Sequence, residues 1–179
     1  MAQAPALQGF QAAIGPQPQQ SGFYAQQQVT LAMKEKVFSL SGDDFTVQTA
    51  EGAPVLKIKG KVFSISDRKE FTYMNGDALF TLKNKLLSLH KSFYAESPNG
   101  FNFEVKGHFK LIGSKSTVHF KNAADGRDIE LEVKGDWIDR SAEITLDGRP
   151  VAAIARKFFN VREILGGQQT VCMAVVPGE

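Results

Sequence analysis

The chain has one cysteine, Cys172, one tryptophan, Trp137, and no apolar run of the length that spans a bilayer. A lone cysteine excludes an intramolecular disulfide and leaves no thiolate cluster for zinc. Without about 18 consecutive apolar residues there is no candidate transmembrane helix. The opening "MAQAPALQGF" lacks the basic region and apolar core of a signal peptide, and the arginines of a mitochondrial presequence,. These absences predict a cytoplasmic protein, with nuclear or peripheral membrane residence left open. Catalytic signatures are missing as well. His90, His108 and His119 show no HxH or HExxH spacing, and no GxSxG elbow occurs,. The Gly pair in "ILGGQQ" lacks the strand–loop–helix setting of a phosphate loop, and Ala124–Asp128 lacks the ligands of a calcium loop,. No cofactor and no metal are expected, and an enzyme ranks last among the functional classes.

What is present is ordinary globular material with a local charge bias. Of 179 residues 42% are hydrophobic and 22% charged, and 14 phenylalanines make Phe the main aromatic core residue,. Net charge is only +2, but residues 51–121 carry 12 Lys/Arg against 6 Asp/Glu, whereas residues 122–179 carry 7 against 10. A basic middle beside an acidic end is the pattern of a surface with one anion-attracting face, or of charges dispersed over the surface once the chain folds.

Residues 1–28 contain no charged side chain and are rich in Gln, Ala, Pro and Gly. Such a stretch buries too little apolar surface to offset its ordering entropy, which predicts a disordered arm. Within it Leu7, Phe10 and Ile14 are spaced three and four apart between Pro5 and Gly15-Pro16, a weak short-helix pattern,. From residue 29 the character changes to short alternating runs punctuated by "SGDD", "AEGAP", "MNGDA", "SPNG", "AADGRD" and "LDGRP",. In Asp128–Lys134, Ile129, Leu131 and Val133 face one way and Glu130, Glu132 and Lys134 the other; Phe101, Phe103 and Val105 alternate likewise with Asn102, Glu104 and Lys106,. No pattern for a three-turn helix interrupts the series. The residues alone predict an all-β domain over 29–179, a closed antiparallel barrel ahead of a sandwich, because closure removes exposed edges.

"GDWIDRSAEITLDGRPVAAIARKF", "FTLKNKLLSLHKSFYAE" and "GKVFSISDRKEFTYMNGDALFTLK" stand in the order and spacing of a known family. The chain resembles the LURP-one-related family, which shares the tubby C-terminal-like fold with tubby proteins and phospholipid scramblases. The resemblance covers roughly residues 29–178. It implies a barrel of about twelve antiparallel strands wrapped around a hydrophobic C-terminal helix. Members pass from a strand like "TVCMAVVPGE" into that helix; this sequence stops at Glu179, so by the resemblance the central helix is missing. Three outcomes are open for such a chain: poor folding, a collapsed barrel, or a substitute plug, for which Leu7, Phe10 and Ile14 or a partner's helix are the candidates.

Lys57, Lys59 and Lys61 in "VLKIKGK" share one strand face about 6–7 Å apart in succession, and Lys83 and Lys85 repeat the spacing in "TLKNK",. Ammonium groups so placed suit the phosphates of an anionic lipid headgroup; a solvated barrel exterior is the plainer account of the same spacing. A second basic cluster comprises Lys106, Lys110, Lys115 and Lys121, with His108 and His119 among them. Nucleic acid is a poor fit, because Phe101, Phe103 and Phe120 fall on the buried side of the alternation instead of interleaving with the charges. Glu130 and Glu132 share a wet strand face, which explains them better than a paired-carboxylate hydrolase does. Cys172 reads as a buried inert thiol and Trp137 as a packing anchor. The resulting expectation is a non-catalytic module that binds anionic phospholipid, of the phosphoinositide class, as a signalling or defence-related adaptor. A protein-interaction module without a lipid ligand is the alternative.

Overall fold

The computed structural model describes residues 14–17, 29–35, 44–61, 68–87, 91–108, 114–136, 141–157 and 170–175. Among the described residues twelve strands follow one another: β1 (Val29–Glu35), β2 (Phe45–Thr49), β3 (Pro54–Lys61), β4 (Arg68–Tyr73), β5 (Ala78–Asn84), β6 (Ser92–Glu96), β7 (Phe103–His108), β8 (Ser114–Lys121), β9 (Asp128–Asp136), β10 (Ser141–Leu146), β11 (Arg149–Lys157) and β12 (Thr170–Val175). No helix occurs among the described residues. Every pairing is antiparallel, and the neighbour order β1-β12-β11-β10-β9-β8-β7-β6-β5-β4-β3-β2 closes between β2 and β1. The all-β, single-sheet, antiparallel expectation is met. Of the arm, only residues 14–17 are described; Lys110, Trp137, His90, the side chains of Lys61 and Cys172, and the chain end at Glu179 lie outside the described residues.

Turn chemistry sets the hairpins. Between β10 and β11, Asp147 and Gly148 both take positive φ, 49° and 78°. That is the two-residue geometry whose twist matches the flanking strands, and Asp-Gly is among the few pairs that adopt it readily. At "MNGD" the Tyr73 and Asp77 backbones are joined by a 2.9 Å bond from the Tyr73 amide to the Asp77 carbonyl, and Asn75 Nδ2 donates to Asp77 Oδ2 at 2.7 Å.

Registers align the apolar residues of successive strands on one face. Ile58 stands opposite Phe71, Phe71 opposite Phe80, Phe103 opposite Phe120, Phe120 opposite Ile129, and Leu131 opposite Leu146. Phe71 and Phe80 stack with ring centroids 4.1 Å apart, and Phe80 meets Phe103 edge-on at 5.1 Å. The fully buried Ala95 on β6, in register with both Leu82 and Phe103, keeps the intervening strand slim enough for that contact. Among the described residues Phe120, Ile129 and Leu146 form a buried core cluster. Each such side chain contributes about 1.5–3 kcal/mol when fully buried. This face is the interior; the charged residues of the same strands fall on the other, outward face.

Candidate functional site

The outward face of β3 carries Lys57 and Lys59, because Leu56 and Ile58 occupy the inward positions between and beside them. Lys57 stands in register with Thr46 on β2 and with Thr72 on β4, so one ammonium stem is flanked by two hydroxyl-bearing residues. Lys59 faces Glu70, whose carboxylate lies 4.0 Å from Arg68 Nε. Among the described residues no ion pair reaches Lys57 or Lys59.

The other candidate lysines whose side chains are described, Lys83, Lys85, Lys106, Lys115 and Lys121, have carboxylate partners. Lys83 pairs with Glu96, and Lys85 with Glu104, which also holds Lys106 at 3.4 Å. Lys115 and Lys134 both sit 2.8 Å from Glu132, and Lys121 is 2.9 Å from Asp128. The hydrogen bond from Lys115, then that from Lys134, pulls the Glu132 carboxyl down from its ordinary 4.5 to about 2,. Glu104 is lowered chiefly by the hydrogen bond from Lys85. Lys134 is raised, first by its hydrogen bond to Glu132. The second basic cluster is thus, over its described members, a grid of alternating sign.

Between these pairs lies a constellation that spacing along the chain did not reveal. Thr117 Oγ1 is 3.0 Å from His108 Nε2 and 2.9 Å from His119 Nε2, and His119 Nδ1 is 3.4 Å from Glu130 Oε2. Thr117 and His119 share a face through their i, i+2 spacing; His108 joins them only through the β7–β8 hairpin, which sets Lys106 opposite Thr117. Carboxylate, imidazole and hydroxyl follow one another as in a hydrolytic triad, but Thr117 is only 4% exposed and closed in by both rings. A substrate carbonyl has no approach to that hydroxyl, and the network ties β7, β8 and β9 together instead. Among the described residues no three His, Cys, Asp or Glu side chains converge as a metal site.

At the end of β5 the surface turns apolar. Leu86 and Leu87 are 66% and 102% exposed. They border an open groove of about 920 Å³ that also contacts Lys85, Lys106, Gly107 and His108. Gly107 is fixed in that wall: its amide donates to the Lys91 carbonyl at 3.1 Å, and a Cβ there would lie 2.5 Å from the same oxygen. The sequence signal, a Leu pair inside "KNKLLSLHK", reads as core until its position beyond the strand is known.

The sequence profile of the LURP-one-related family matches residues 29–179. The chain belongs to that family. Its Arabidopsis thaliana relatives include LURP-one-related protein 10, 24% identical over 87% of this chain and 84% of the relative. LURP-one-related protein 15 is 23% identical over 95% of this chain and 84% of its own length. A crystal structure of an Arabidopsis thaliana protein superposes with a TM-score of 0.58 at 20% identity, over 94% of this chain and 88% of that one, a likeness of fold. The profile match begins where β1 begins.

Proposed function

We propose that this LURP-one-related chain is a non-catalytic β-barrel module of the tubby-like kind that binds anionic phospholipid, of the phosphoinositide class, at a cytoplasmic membrane surface and serves as an adaptor in signalling or defence. The observation that carries the reading is the Thr46–Lys57–Thr72 row, with Lys59 one step along the same face. An unmatched ammonium between two hydroxyls offers a phosphate a point charge and flanking donors. No helix among the described residues is long and apolar enough to cross a membrane; the contact proposed, through outward lysines on β3, is peripheral. Flotation with neutral and phosphoinositide-containing vesicles at low and physiological salt tests it. The reading requires binding to the anionic vesicles alone, weakened by salt; equal binding to both, or to neither, rejects it.

A second reading, a protein-interaction module, is favoured by Leu86 and Leu87, whose exposure invites an apolar partner surface,. Its signature is association that persists at high salt and is lost in Leu86→Asp/Leu87→Asp.

A further inference from the structure

Residues 14–17 stand apart from the strand series, yet they are held at the β8–β9 end of the barrel by contacts of three kinds. The Gly15 amide donates to Asn122 Oδ1 at 3.0 Å, and the Gly15 carbonyl accepts from the Ala123 amide at 3.0 Å. Ile14 packs against the Phe120–Ile129–Leu146 cluster. Asn99 Nδ2 reaches Gln17 Oε1 at 3.4 Å.

The receiving side is rigid and specific. Asn122 is 1% exposed. Its Nδ2 donates to Asp125 Oδ1 at 3.0 Å, and only the NH₂ end of the amide can do so toward a carboxylate,. That fixes Oδ1 as the end presented to Gly15. Asp125 is itself pinned by the Arg127 backbone amide at 3.1 Å and by Arg127 Nε at 2.7 Å. The turn closes through the Asn122 amide on the Arg127 carbonyl and the Gly126 amide on the Asn122 carbonyl, both 2.8 Å. A buried carbonyl oxygen aimed outward and left without a donor is costly, so the site needs an incoming N–H.

We infer that the β8–β9 end is a docking site for a short peptide segment: an aliphatic side chain, followed by a residue whose N–H and C=O are both free to bridge. Its occupant is the chain's own residues 14–17. Ile14 enters the apolar mouth, and Gly15 is clamped by its backbone between Asn122 and Ala123. The segment lies ahead of residue 29, where the family profile match begins.

Hydrogen exchange on the full chain, read by NMR at the Gly15 and Ala123 amides, tests the docking without altering it. Protection of both by more than about a hundredfold over free-peptide rates supports it; exchange of Gly15 at the free-peptide rate overturns it. Displacement provides the second arm. The full chain carrying Ile14→Asp is titrated with a peptide of sequence FQAAIGPQPQ. Binding to that variant at least tenfold tighter than to wild type supports the site, because the variant's own segment no longer competes. Equal binding to both, or to neither, overturns it. A variant that fails to fold leaves the wild-type exchange measurement decisive.

Discussion

Two stretches of the same outward surface, β2–β4 and β7–β9, are built from the same alternation and carry lysines at the same spacing, yet they differ in what each lysine meets. Across β7–β9, Lys106, Lys115, Lys121 and Lys134 each find a carboxylate on a neighbouring strand or two residues along their own. Across β2–β4, Lys57 meets Thr46 and Thr72. A matched grid is electrically quiet and keeps the strands wet; an unmatched lysine between hydroxyls retains a field that an anion can use. Lysine spacing is therefore a poor guide to a binding surface, and a carboxylate within reach decides more than the residue opposite: Lys106 also stands between Ser92 and Thr117 in register, yet Glu104 on its own strand holds it.

Both surfaces rest on one apolar layer, so the largest effect comes from removing part of it. Phe120→Ala, which empties the centre of the Phe120–Ile129–Leu146 cluster, should cost about 3–5 kcal/mol in a urea titration and weaken both faces together,. A loss below about 1 kcal/mol would show that the cluster is not the support assigned to it. Next in size is vesicle binding. Lys57→Glu should reduce affinity for phosphoinositide vesicles more than tenfold, since each lysine near an anionic surface is worth about 1 kcal/mol and reversal counts twice. The exchange Lys121→Asp with Asp128→Lys, which preserves both the pair and the net charge, should leave binding unchanged,. Equal losses in the two variants would erase the distinction between the surfaces.

The fold was legible because its signals are local. Strict alternation at 128–134 gave β9, and Asp147-Gly148 gave the β10–β11 turn, each from a few contiguous residues. The site was legible only in part. That Lys57 and Lys59 share a face follows from a period of two, but that Lys57 sits between threonines depends on registers with β2 and β4, and the β2–β3 register shifts between Val47 and Gln48. The His108–Thr117–His119 contact, the pairing of Lys115 with Glu132, and the seat of Ile14 are likewise matters of register or of long-range docking; Gly15 reaches Asn122 across 107 residues. Composition classed residues 1–28 as an arm too poor in apolar residues to fold by itself. That reasoning weighs a segment alone; the spacing of Leu7, Phe10 and Ile14 offered Ile14 as a side chain that could enter the barrel, but not that it would pack on the Phe120–Ile129–Leu146 cluster,.

The contrast can also be sharpened by making the quiet surface resemble the other one. Glu132→Gln removes the carboxylate shared by Lys115 and Lys134, leaving Lys115 unmatched on β8 and Lys134 with only the more distant charge of Glu143, its register partner on β10. If availability of lysine governs anion binding, this variant should gain affinity for anionic vesicles, by several-fold at low salt and less at physiological salt. No gain would mean that the threonines beside Lys57, or the shape of β2–β4, matter more than free charge.

The same substitution has a smaller consequence for stability, one that fades in acid. Glu132 has a folded-state pKa of about 2 against an ordinary 4.5. A carboxylate lowered on folding contributes stability that is fully present above its unfolded pKa and fades as pH falls toward the folded one. Wild type should therefore exceed Glu132→Gln by a constant margin above about pH 5, and the margin should shrink from roughly pH 4.5 to pH 2. Since the group is solvent-exposed, the margin will be modest and will diminish in high salt. Chemical denaturation of both proteins at pH 7, 4 and 2.5 reads the difference directly. A margin that grows on acidification would show that Lys115 and Lys134 do not hold this carboxylate in its charged form. The matched grid would then be an arrangement of neighbours without an electrostatic bond, and its lysines would be as available to an anion as Lys57.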